Sequence, residues 1–202
     1  MMLEAGLDEA GRGAFFGRVY SGIVIIAENK DAVEKFKEKA AKDKIVIRDS
    51  KKMTALQRNK ARKFIEDNAL AYAVEYQDND NIDTNGILKS TMRCFNDSVR
   101  KIEPTPTFLY VDGNYFTNEN TNIPFECIEQ GDDQVIEIAC ASILAKTYRD
   151  EYIERFCDEN PEYDQKYCLR RNKGYGTIHH RNGLGQHGLS LYHRKTFCKK
   201  FV

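Results

Sequence analysis

Residues Leu3 to Val19 read LEAGLDEAGRGAFFGRV, and this stretch constrains the fold more than any other. Leu3, Ala5 and Leu7 alternate with Glu4, Gly6 and Asp8, the period-2 pattern of a strand, with Asp8 on the face opposite the apolar residues. Asp8 and Glu9 stand side by side, and Gly11, Arg12 and Gly13 follow. A core strand that ends in adjacent carboxylates needs a compensating partner, because an unpaired carboxylate is costly to bury. GRGAFFG does not fit the dinucleotide fingerprint and leads into a strand instead of a helix, which excludes a nicotinamide site. Two readings of Gly11-Arg12-Gly13 stay open: a plain hairpin turn, or a turn whose glycines let backbone approach a ribose-phosphate and sense its 2′-hydroxyl.

The remaining pattern predicts a second strand over VYSGIVIIA (Val19 to Ala27) and a helix opened by the capping box TALQ (Thr54 to Gln57) and running toward Asn68. ALAYAVEY (Ala69 to Tyr76) reads as a strand, and a helix spans about Ile82 to Ile102, stopped by Pro104 and Pro106. TFLYVDG (Thr107 to Gly113) and PFECIEQ (Pro124 to Gln130) read as strands, and Val135 to Phe156 as a long helix. Strands that come first and then alternate with helices indicate a mixed α/β sheet, here of five strands. Such sheets build sites at strand ends and helix starts, where Asp8, Glu9, Asp112 and Asp132 fall.

With 202 residues, 41% of them hydrophobic, the chain can form one domain. Its composition shifts near residue 160, so residues 1–160 are expected to form a core and 161–202 a basic segment completing a groove. No apolar run approaches the roughly 18 residues of a membrane span and no signal-peptide pattern opens the chain, so no membrane association and a cytoplasmic location are expected. The six cysteines have neither C-x-x-C pairing nor regular His spacing, which fits reduced thiols rather than zinc.

Charge is strongly segregated. No acid follows Asp164, whereas nine bases do; because the whole chain is neutral, its first 164 residues carry a net charge of −9. With Tyr167, Tyr175 and Tyr192 interleaved, the basic end can face a polyanion while the acidic body holds cations. The four histidines (His179, His180, His187 and His193) fit no zinc spacing and read as polar packing or phosphate contacts.

Asp8, Glu9, Asp112 and Asp132 lie in three segments that could converge, and carboxylates in such a set suit hard divalent cations. Blander readings exist: Asp112 before Gly113 also fits a turn, and Asp132 a helix cap.

The motifs in combination resemble those of ribonuclease HII, the type 2 ribonuclease H family. They are GLDEAGRG, DSKKM (Asp49 to Met53), YVDGN (Tyr110 to Asn114), GDDQVIEIACASILAKTYRD (Gly131 to Asp150), NKGYGTIHH (Asn172 to His180) and HGLSLYHRKTF (His187 to Phe197), in family order. The resemblance implies a ribonuclease-H-like fold, with a mixed five-stranded sheet flanked by helices. It also implies a D-E-D-D site on Asp8, Glu9, Asp112 and Asp132 holding two Mg2+ or Mn2+ ions. Asp133 rivals Asp132, but the family spacing, ten residues before Ser142, selects Asp132. The family's ribose-reading turn falls on Gly11, Arg12 and Gly13, its junction tyrosine on Tyr175, and further nucleic-acid positions on Lys51, Asn114, Ser142, Lys146 and Lys173. Departures at Ala14, Arg18, Gly86 and Leu189 touch loops and leave the acids intact.

The implied activity is that of a monomeric endoribonuclease acting on RNA/DNA hybrids and on DNA duplexes with embedded ribonucleotides. It would cut 5′ to the ribonucleotide and leave 3′-hydroxyl and 5′-phosphate ends. Two rivals are a non-catalytic hybrid-binding module, against which the complete acid set argues, and a DNA nuclease of the same fold, against which G-R-G and K-G-Y-G-T argue.

Overall fold

A computed structural model describes residues 3–119 and 122–201. Strands β1 (Glu4–Ala10) and β2 (Val19–Ile25) pair antiparallel; helices α1 (Lys30–Lys42) and α2 (Ala55–Asn68) follow, separated by a 3-10 turn at Ser50–Lys52. Strand β3 (Ala71–Gln77) leads to helices α3 (Asn79–Asn85) and α4 (Ile87–Lys101), then to strands β4 (Phe108–Asp112) and β5 (Phe125–Ile128). A 3-10 turn at Gly131–Asp133 opens into the long helix α5 (Ile136–Glu159). Four short helices finish the chain: α6 (Pro161–Tyr167), α7 (Leu169–Asn172), α8 (Ile178–His187) and α9 (Lys195–Cys198). The five-stranded sheet has the order β3-β2-β1-β4-β5, antiparallel on its β3-β2-β1 side and parallel across β1-β4-β5.

Side-chain alternation along the strands divides the core between the two faces. Leu3, Ala5, Leu7, Ile23 and Ile25 pack with Phe95 and Val99 of α4 and with Ile102 just past its end. Val24 and Ile26 face the other way, onto α1, α2 and Ile143 and Leu144 of α5. Helix α5 lies directly on β1 and β2 because glycines face it: a Cβ on Gly6 would come 2.0 Å from the Glu137 carbonyl carbon, and one on Gly22 2.5 Å from the Ala141 oxygen. Asp8, paired with Gly22, shares this crowded face and is 2% exposed.

Three features depart from the sequence reading. Helix α1, a charge-rich segment with its apolar side reduced to Phe36, Ala40 and the half-buried Val33, was not anticipated. The helix expected over Ile82 to Ile102 is two helices, because Gly86 takes φ +80° and turns the chain between them. The basic end, for which the sequence reading named no elements, forms short helices that bury Tyr167, Leu169, Leu184 and Cys198 against Phe16 and the last turns of α5. All six cysteines are free, and no helix among the described residues is long and apolar enough to cross a membrane.

Candidate active site

Strands β1 and β4 run parallel with Leu7 opposite Val111, so the next residues, Asp8 and Asp112, reach the same edge of the sheet together. Asp112 Oδ1 accepts the Gly131 N–H at 2.8 Å, which fastens the turn after β5 to that edge and brings Asp132 up beside it. Glu9 follows Asp8 directly, and its N–H donates to Asp8 Oδ1 at 2.6 Å. The four carboxylates expected from three separate segments thus gather at one strand-end site.

Their environment is short of positive charge. Asp8 and Asp132 are 2% and 6% exposed, and Oδ2 of each is buried without a hydrogen-bond partner among the described residues, a costly arrangement in a folded chain. Burial, then the neighbouring Glu9 and Asp112 charges, push the Asp8 carboxyl well above its ordinary range, against the pull of Ser142. Glu9 is raised by burial too, with Arg12 opposing; their side chains approach to 3.4 Å. Asp132 is pushed up to about 6 by burial and by Asp49 and Asp112. Burial lowers the Lys51 amine, but Asp8, Asp132, Asp49 and Asp112 together outweigh it and raise the amine, so this one lysine faces the whole acid group. An all-oxygen donor set with two buried orphan oxygens and excess negative charge fits hard divalent cations such as Mg2+ or Mn2+.

Asp49 belongs to this group although it was not singled out from the sequence. Its carboxylate lies within 4.8 Å of those of Asp132 and Asp133, while also capping the 3-10 turn through the Lys51 N–H. Its position at the head of the D-S-K motif was the available signal. Lys52 pairs with both Asp133 and Asp49, so Asp133 has a close ion-pair partner, whereas Asp132 has only the more distant Lys51 charge among the described residues. That difference favours Asp132 as a ligand.

The expected nucleic-acid residues fall into three groups. Arg12 and Gly13 are exposed at the tip of the turn, with Gly11 buried beneath them at φ +96°. The N-K-G-Y-G segment packs against this turn: Tyr175 bridges to Ala14, and the Gly174 carbonyl accepts from Phe15 and Phe16 at 2.8 and 3.2 Å. Asn114 is exposed just past β4. The second group is already engaged: Lys146 pairs with Asp150 at 2.7 Å beside the Tyr175 ring, and Lys173 pairs with Glu154. Ser142, alone in the third, turns inward; it is 2% exposed, and its hydroxyl meets that of Ser50 at 2.9 Å.

Comparison with known proteins gives a consistent result. The family model described as Ribonuclease HII matches residues 5–200. A ribonuclease HII of Bacteroides thetaiotaomicron is 40% identical, covering 97% of this chain and 90% of the relative, and that of Parabacteroides distasonis is 38% identical over 96% and 89%. Among solved structures, ribonuclease H2 from Pyrococcus horikoshii superposes with a TM-score of 0.80 at 22% identity, covering 99% of this chain and 97% of that one. Bst ribonuclease HIII in complex with Mn2+ gives 0.63 at 16% identity, covering 97% and 64%. The acid cluster at the β1-β4 edge, the G-R-G turn beside it and the family match along nearly the whole length lead to one assignment: the chain belongs to the ribonuclease HII family of metal-dependent endoribonucleases.

Proposed function

We propose that the chain hydrolyses the phosphodiester on the 5′ side of a ribonucleotide, in RNA/DNA hybrids and in DNA duplexes with embedded ribonucleotides, leaving 3′-hydroxyl and 5′-phosphate ends. The observation that carries this reading is the pair of buried, unpartnered oxygens on Asp8 and Asp132, beside a turn packed against Tyr175. Asp8, Glu9, Asp112 and Asp132 would hold two divalent ions, Mg2+ or Mn2+. Bound there, such ions supply an activated water and stabilise charge on the leaving oxygen.

The chain's own groups do the rest. Gly11 to Gly13 bring main-chain groups against the ribose, and no atom of the described residues stands within 4 Å of where a Gly13 side chain would begin. Tyr175 packs on the following sugar, which favours a deoxyribose and hence an RNA-to-DNA junction. Lys51 faces the acids and can follow the scissile phosphate, whereas Asn114, Lys146 and Lys173 flank the path of the strands. Residues 1–160 act as the catalytic core and 161–202 complete the groove. The chain works as a cytoplasmic monomer that removes misincorporated ribonucleotides and RNA primers.

The test is cleavage, in Mg2+, of three duplexes: DNA with one ribonucleotide, a full hybrid and plain DNA. The first two are cut, with the scission 5′ to the ribonucleotide in the first, and the third stays intact. Asp112→Asn abolishes cutting while retaining the wild-type melting temperature, because an amide supplies no anionic ligand. Plain DNA cut at a comparable rate, or an active Asp112→Asn, overturns the reading.

A further inference from the structure

Two arginines are entirely enclosed under the G-R-G turn: Arg149 of α5 and Arg194 at the start of α9 are both 0% exposed. Neither has a carboxylate partner among the described residues. Arg194 donates from Nε to the Gly17 carbonyl at 2.9 Å and from Nη1 to the Gly11 and Arg12 carbonyls at 2.8 and 2.9 Å. Arg149 donates from Nε to the Arg18 carbonyl at 3.3 Å, and its guanidinium carbon lies 5.0 Å from the Tyr175 ring centroid. The other three nitrogens, Arg149 Nη1 and Nη2 and Arg194 Nη2, are buried without hydrogen-bond partners among the described residues. Burying two like charges side by side is expensive, and burial with Arg149 alongside disfavours the Arg194 charge. A fold that needed only apolar filling here would not use them.

What the guanidiniums hold is a row of inward-turned carbonyls. In a trans peptide the N–H points away from the C=O of the same unit. With the Gly11 and Arg12 carbonyls drawn down onto Arg194, the N–H groups of Arg12 and Gly13 face outward. Neither N–H has a partner among the described residues, and both residues are exposed. A guanidinium can span carbonyls on two of its edges, while the ammonium of a lysine is a single point.

We propose that Arg194, braced by Arg149, is a positioning residue for ribose recognition: it pulls the Gly11 and Arg12 carbonyls inward and so presents the Arg12 and Gly13 N–H groups as a donor pair for the 2′-oxygen. This rests on the reading of G-R-G as the ribose contact. The experiment measures dissociation constants, in Ca2+ to prevent turnover, for a DNA duplex with one ribonucleotide and for the same duplex with none. Arg194→Lys lowers the ribose preference by about tenfold, the worth of one well-made hydrogen bond, while affinity for the all-deoxy duplex stays within about twofold. An unchanged preference in a folded Arg194→Lys, or a parallel fall for both duplexes, overturns the proposal. Gly13→Ala separates the two levels: if it too leaves the preference unchanged, the G-R-G reading itself has failed. If it abolishes the preference and Arg194→Lys does not, only the role of Arg194 has failed. Should Arg194→Lys not fold, Arg149→Lys, which withdraws the brace, must lower the ribose preference and leave the all-deoxy affinity within about twofold; an unchanged preference in that variant overturns the proposal.

Discussion

A Cβ added to Gly13 meets no atom of the described residues within 4 Å, whereas one on Gly11 would lie 2.1 Å from Arg149 Nε, at a φ of +96°. The two glycines of one short motif therefore answer to different constraints. Gly11→Ala strains the backbone and displaces a buried arginine, and it costs more than about 3 kcal/mol of stability. Gly13→Val keeps the wild-type melting temperature yet loses cleavage at single ribonucleotides, because its side chain occupies the space meant for the sugar. Thermal melts and initial rates on both variants check the pair. Tyr175 lies 5.0 Å from Arg149 and 5.7 Å from Lys146, so its ring is held on a cationic bed. Tyr175→Ala lowers the rate on a single embedded ribonucleotide more than on a continuous RNA strand. A ratio of the two rates equal to that of the wild type places junction selection elsewhere.

Within the basic end of the chain, a buried pair of histidines joins α8 to the segment before α9. The Ser190 N–H donates to His193 Nδ1 at 3.0 Å, which leaves the His193 proton on Nε2 to reach His180 Nε2 at 2.9 Å. His180 then donates from Nδ1 to the Tyr175 carbonyl at 3.0 Å. Each ring is neutral in this chain of bonds, and protonating either leaves two donors face to face. Burial lowers both, His193 to about 3 with the proximity of His180 adding to it. A depressed histidine pKa means that the unfolded chain takes up protons first. Stability is therefore full above about pH 6.5 and falls as pH drops below it, by about 1.4 kcal/mol per unit for His193, with His180 adding in the same direction. Between pH 7 and pH 5 the wild type loses about 2 kcal/mol relative to His193→Gln, whose amide can still donate to His180. Denaturant titrations of the two proteins at those pH values give the difference, and parallel curves would remove the histidines as its source.

Across the whole molecule, the basic end is less free than its sequence suggests. Arg170 is held by Glu154, Asp158 and Asp164, and Lys173 by Glu154, so acids of α5 and α6 neutralise part of the expected polyanion surface. Lys199 and Lys200 are exposed and form no ion pair among the described residues. Changing both to Ala reduces the salt slope of duplex binding by roughly 1 to 2, one unit for each phosphate left without its cation, and weakens all duplexes alike. Arg170→Ala leaves the slope as it was. Equal slopes in all three proteins would make the basic end an ordinary solvated face.

Strand alternation in β1, the Thr54 capping box and the apolar run of β4 made the sheet and its acid-bearing edge legible in the sequence, since each depends on neighbours a few residues away. The D-E pair and the order of the motifs named the family for the same reason. Contacts between distant segments were not legible. Asp49 meets Asp132 across 83 positions of chain, and Arg194 reaches Gly11 across 183. Ser142 turned inward because α5 presses its glycine-matched face onto the sheet, and Arg170 and Lys173 were claimed by acids that precede them on α5 and α6. Local periodicity sets which way a side chain leaves its own element; what it then meets depends on how the elements pack, and only the tertiary structure decides that.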